Sequence, residues 1–142
     1  MIKIVVFLLK PRVGDGDVVE KPYLPYSKKP YFLTNNEREF FAKIEKIIEN
    51  RYSVFPQVHY CKIIYAEGRQ NFKNPWFNKI DRKSADFVLF DKNTISPVLV
   101  IEIDDSSHNR TDRRERDVFI NSVLEKCGIP IIHSTVNRWN GI

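Results

Sequence analysis

The sequence predicts an α/β fold, a mixed central sheet flanked by helices, and three observations predict it. The segments run helix, three strands, helix, strand. The first strands follow one another through hairpin-like connections, whereas the last is reached only across a helix, which suits a strand added in parallel. Both helices carry a single apolar stripe, so each has one face to lay on a sheet. At 142 residues, 42% hydrophobic and 29% charged, the chain is one domain of ordinary globular composition.

Residues 1–33 are expected to form an N-terminal strand and an extended Pro/Tyr arm, 34–136 the core, and 137–142 a tail. The apolar run Ile4–Leu9 falls far short of the roughly 20 residues that a spanning helix needs, and no signal-peptide cleavage site follows it. It reads as a short strand or the remnant of a longer upstream region. Gly14 to Asp17 form a turn, and Pro22, Pro25 and Pro30 hold the next stretch extended. Thr34 and Glu37 have the spacing of a capping box, and Phe40, Phe41, Ile44, Ile47 and Ile48 form the stripe of the helix they open. VFPQVHYCKIIYA, Val54 to Ala66, is rich in β-branched and aromatic residues and reads as one strand. A long connection, 67–84, leads to the strand ADFVLFD, the turn KNTIS and the strand PVLVIEID. Val118, Phe119, Ile120, Val123 and Leu124 mark the second helix, stopped by Gly128 and Pro130, and IPIIHST is the last strand.

The chemistry gathers where the most apolar strand runs into acids, in VLVIEIDDSSHN. Glu102 and Asp104 are two apart, so on a strand they share a face at about 7 Å between Cα atoms. Asp86 shares a face with Val88 and Phe90 on the preceding strand, and if the two strands pair it stands beside Glu102. Like charges held close and half-buried raise one another's pKa, and a cation relieves them. Mg²⁺ (or Mn²⁺) on Asp86, Glu102 and Asp104, with the Ile103 carbonyl as a further donor, suits oxygen ligands and phosphoryl chemistry. The bland alternative is that these acids cap loops or pair with Arg110, Arg113, Arg114 or Arg116.

ADFVLFD, VLVIEIDDSSH and RRERDVFINSVLEKCGIPIIH together resemble the PD-(D/E)XK nuclease superfamily. The likeness is nearest to an uncharacterised bacterial domain group related to the very-short-patch-repair endonucleases, and it runs from about Phe32 to Thr135. It implies a restriction-endonuclease-like αβββαβ core. The superfamily's first acid falls on Asp86, the second on Glu102, and its lysine position on Asp104, so the usual E-x-K is E-x-D here. An aspartate supplies no positive charge, which leaves Lys83, Arg113, Arg116 or His108 to take the lysine's part. The resemblance also implies that Glu37 joins the metal shell, against its reading as a cap alone, and that Gln57 lies near the site, against an ordinary strand polar residue. His108 and Asp117 match site-facing positions, against a loop-to-helix hydrogen bond; Asp117 shares the buried helix face with Ile120 and Leu124. His133 reads as a satisfied core or edge histidine.

The net charge of +5 favours an anionic partner, nucleic acid first, although ribosomal and membrane-surface proteins share that signature. In the connection, Lys79, Arg82 and Lys83 interleave with Phe72, Trp76 and Phe77. Cations for phosphates and rings for bases make a nucleic-acid contact. Phe72, Trp76 and Ile80 are also four apart, which fits a short helix packed on the core. Arg113 and Arg116 hold a phosphate backbone or neutralise neighbouring acids. Cys61 and Cys127 lie in no CxxC and are expected to be two buried free thiols of a reducing, cytoplasmic setting. The expected function is a metal-dependent endonuclease cutting DNA, or RNA in its place, to leave a 3′-hydroxyl and a 5′-phosphate, as the resemblance implies. Without a separate recognition domain it is expected to work with a protein partner or as a homodimer. The alternative is a catalytically degenerate module on the same fold that binds nucleic acid or a protein.

Overall fold

The computed structural model describes residues 23–48, 50–104 and 111–135, with backbone alone at 104, 111–116 and 135. The chain divides into two compact units, 1–30 and 31–142. The described part of the first, 23–30, holds no helix or strand, as its prolines dictate. The N-terminal strand and the tail expected from the sequence lie outside the described residues.

The second unit runs α1 (Asn35–Ile47), β1 (Tyr52–His59), α2 (Pro75–Asp81), β2 (Ser84–Asp91), β3 (Pro97–Asp104), α3 (Thr111–Lys126) and β4 (Ile131–Thr135). The sheet order is β1-β2-β3-β4, antiparallel through the first three strands and parallel between β3 and β4. It is the mixed sheet flanked by helices that the sequence predicts, in αβββαβ order with one added short helix.

Local chemistry bounds each helix at one end. At the start of α1, Thr34 Oγ1 accepts the Glu37 N–H (3.3 Å) and Glu37 Oε2 accepts the Thr34 N–H (2.7 Å), the reciprocal capping box. The α3 C-terminus is a Schellman turn. Gly128 takes φ +68°, its N–H reaches the Glu125 carbonyl, and the Ile129 N–H reaches that of Leu124. Asn74 caps α2 by accepting the Trp76 N–H (3.0 Å), while its amide donates to the Glu67 and Arg69 carbonyls (2.8 and 2.9 Å).

The central strands β2 and β3 bury both faces, which is why they read as unbroken apolar runs. On one face Val88, Phe90 and Val100 pack with Ile120 and Leu124 of α3 and with Tyr60. On the other, Phe87, Leu89 and Ile101 pack with Phe40 and Ile44 of α1, the Phe40 and Phe87 rings lying 5.0 Å apart. Pro56 is tolerated because β1 is an edge strand.

Three expectations are corrected. The strand expected over Val54 to Ala66 ends at His59, because Tyr60 turns inward: Tyr60–Lys62 form a 3₁₀ turn, and the Tyr60 N–H donates to the Lys83 carbonyl (2.9 Å). Within the connection, Pro75–Asp81 form the short helix, but only Ile80 of its spaced apolar residues is buried; Phe72 and Trp76 are 77% and 59% exposed. Both cysteines are free, yet neither is buried: Cys61 is half-buried and Cys127 is exposed beside the turn that ends α3. No described helix is long and apolar enough to cross a membrane.

Candidate active site

Strand register brings the two principal acids together. Phe87 pairs with Ile101, so the next antiparallel step sets Asp86 beside Glu102. The side chains interact. Asp86 Oδ2 also accepts the Ile103 N–H (2.8 Å), which fixes it across the end of β3. Glu102 is held from a third direction: the Tyr60 hydroxyl donates to its Oε1. In the parallel pair, Glu102 stands level with His133.

The electrostatics follow from this crowding. Burial pushes the Glu102 carboxyl up to about 7; the Tyr60 bond opposes that shift and the neighbouring Asp86 charge adds to it. The Tyr60 hydroxyl is pushed well above the usual phenol range, first by burial and then by the Glu102 charge.

Glu37 arrives from α1 and does two jobs. Its Oε2 accepts from Thr34, closing the capping box, while its Oε1 accepts the Gln57 amide (2.7 Å). The cap and the inward reading are therefore compatible. Gln57 occupies left-handed backbone, φ 53°, at the one step where β1 and β2 miss a pair, between Pro56–Phe87 and Val58–Ala85. Such backbone in a residue other than glycine is costly, and it gathers at functional sites.

These side chains open on one cavity of about 470 Å³. Glu37, Tyr60, Asp86, Glu102 and Asp117 supply its acid and hydroxyl lining, and Arg82 and Lys83 its cations. Asp117 reaches it from the buried face of α3, as its spacing with Ile120 and Leu124 predicts. Gln57 is one contact removed, acting on Glu37. Lys79 is not in the lining; its Nζ lies over the Trp76 and Phe119 rings, 4.5 and 5.4 Å from their centroids. Asp104 closes β3, its backbone paired with Thr135, and its side chain is outside the described residues. So are the side chains of Arg113 and Arg116 on α3, and the whole of His108.

Tyr60 and His133 line the cavity without having been legible as site residues. Tyr60 was hidden inside a segment that reads as continuous strand. His133, read as a core or edge histidine, is exposed and lines the cavity, with Nε2 3.4 Å from Asn121 Oδ1. A parallel neighbour in register with Glu102 is the signal that could have found it.

For a metal, the chemistry of the donors is the test. Among the described residues no three His, Cys, Asp or Glu side chains form a ready cage. Asp86 and Glu102 are two hard oxygen ligands side by side. Mg²⁺ is commonly held by one or two carboxylates, with waters and substrate phosphate completing its octahedron, so the pair fits it.

The chain matches, over residues 29–140, the family described as "Protein of unknown function (DUF2726)". No curated protein and no solved structure gives a significant match. With most of its length inside that match, the chain belongs to the DUF2726 family.

Proposed function

We propose that this DUF2726 protein is a metal-dependent nuclease of the PD-(D/E)XK kind, hydrolysing phosphodiester bonds in DNA. The observation that carries the reading is the meeting of Asp86 and Glu102 on adjacent strands, in a cavity that Arg82 and Lys83 also line. Carboxylates alone repel a phosphodiester, so an acid-lined pocket with cations in its wall has a use for a divalent ion and a phosphate together.

Asp86 and Glu102 would hold Mg²⁺, with Asp104 and the Ile103 carbonyl as further donors. Bound there, the ion supplies charge neutralisation on the phosphoryl oxygens and eases deprotonation of water. The chain's own groups do the rest. Lys83 stands in for the positive charge that E-x-D lacks, and Arg82 adds a second cation to hold the scissile phosphate. Tyr60 keeps Glu102 in one orientation, and Thr34 and Gln57 do the same for Glu37.

The test is incubation of the pure protein with supercoiled plasmid, single-stranded DNA and RNA, in Mg²⁺, Mn²⁺ or EDTA. Cutting that needs the metal and disappears in Glu102→Ala is expected. The E-x-D sequence favours a second reading, a nuclease-fold module that binds nucleic acid or a protein without cutting. Tight binding that is indifferent to metal and to Glu102→Ala, with no cutting of any substrate, would establish that reading instead.

A further inference from the structure

We infer that α2 and the facing side of α3 form a docking strip for single-stranded DNA, leading an unpaired strand to the acids. The inference rests on the nuclease reading for its purpose but on separate residues for its evidence. Trp76 and Lys79, three apart, share one face of α2, and Lys83, just past the C-cap Arg82, carries the row of cations on to the cavity. The chain's own rings and cations already interleave there. Lys79 Nζ lies 4.5 Å from the Trp76 centroid and 5.4 Å from that of Phe119, and Lys83 Nζ lies 5.0 Å from Phe119. Phe119, on α3, thus joins Lys79 of α2 to Lys83 of the link between α2 and β2. Trp76 remains 59% exposed and Phe72, just before α2, 77% exposed. Large rings left in water beside lysines, when Ile80 on the same helix is buried, are not serving the core.

The chemistry selects the occupant. Lysines and Arg82 take phosphates, and ring faces take bases. In a duplex the base faces are stacked on one another, so exposed rings have nothing to stack with; in an unpaired strand every base offers a face. An unpaired deoxyribose strand supplies both groups, and the rings and cations of the strip need nothing more from it.

Binding is measured in EDTA, where no metal-dependent cutting competes, by anisotropy of labelled oligothymidylate on the full chain. The competitors are a blunt duplex and an oligouridylate of the same length. Oligothymidylate should bind about tenfold or more tighter than the duplex. Trp76→Leu should weaken it roughly 5- to 150-fold, the loss of one base–ring stack, and Trp76→Phe should restore most of the affinity. Lys79→Gln should lower the slope of log affinity against log salt by about 0.7. Trp76 and Trp139 are the two tryptophans, so in a Trp139→Phe background oligothymidylate should also quench the Trp76 emission. Equal or tighter duplex binding, tighter oligouridylate binding, or affinity unmoved by Trp76→Leu overturns the inference. If no substrate is cut but this binding pattern holds, the nuclease reading fails and the strip stands. If duplex is cut and Trp76→Leu changes nothing, the reverse is true.

Discussion

Glu102 carries the electrostatic cost of the site. Its carboxyl is pushed from the ordinary 4.5 up to about 7, chiefly by burial, with the Asp86 charge adding to the rise. A raised folded pKa means that the folded state keeps a proton the unfolded chain has lost. The stability it contributes is complete below about 4.5 and is lost as pH rises through about 7. In EDTA the wild type should therefore become less stable between those pH values. Glu102→Gln, neutral throughout and still able to accept from Tyr60, should lack that loss and be the more stable of the two above pH 7. Urea unfolding of both proteins across the range isolates Glu102 from the other titrating groups, which the two proteins share. Parallel slopes would show that Glu102 titrates normally. A diverging slope would show Glu102 to be costly to the fold, a cost of the same kind as the left-handed backbone of Gln57.

At the scale of the element, ends matter more than middles. The capping box makes Glu37 both the first acid of α1 and a wall of the cavity, so one residue couples helix start to site. The α3 Schellman turn sends the chain back into β4 in parallel with β3, which sets His133 level with Glu102. Gly128 makes that turn at φ +68°, and a Cβ there would meet nothing within 4 Å. Gly128→Ala should therefore cost only the left-handed backbone term, about 1–2 kcal/mol. It should appear as a lower urea midpoint with an unchanged m-value. A larger loss, or a changed m-value, would mean that the turn does more than reverse the chain.

For the whole molecule, the sheet is buried on both faces by separate clusters, one under α1 and one under α3. The acids sit where β2 and β3 run out of this packing, so relieving their repulsion stabilises the fold that brings them together. Mg²⁺ binding to the folded chain alone stabilises it by RT ln(1 + [Mg²⁺]/Kd), about 2.7 kcal/mol at one hundred times Kd. For a domain of this size that is a rise in melting temperature on the order of 5–10 °C. Thermal melts over a Mg²⁺ series should show the rise in the wild type and a blunted one in Glu102→Ala. A wild-type melting temperature indifferent to both Mg²⁺ and Mn²⁺ would remove the metal from the proposed chemistry.

The sequence by itself determined the order of elements, since apolar period and end signals are local. Thr34 with Glu37, the PVLVIEID strand and Gly128 with Pro130 all lie where their chemistry puts them. The pairing of Asp86 with Glu102 was also within reach, because a short turn between two strands leaves few registers. What only the tertiary structure decided depends on long-range contact. Tyr60 becomes a partner of Glu102, 42 residues away, because burial bends a strand-like segment into a 3₁₀ turn, and no local period signals that bend. Gln57 reaches Glu37 because a missed pair between β1 and β2 turns it, and His133 faces the cavity because β4 enters parallel to β3. Trp76 was equally consistent with a core contact and an exposed ring until α2 spent its one buried position on Ile80. Residues near in sequence answer to propensity, but those that meet across a sheet answer to register, which the packed core imposes on the chain as a whole.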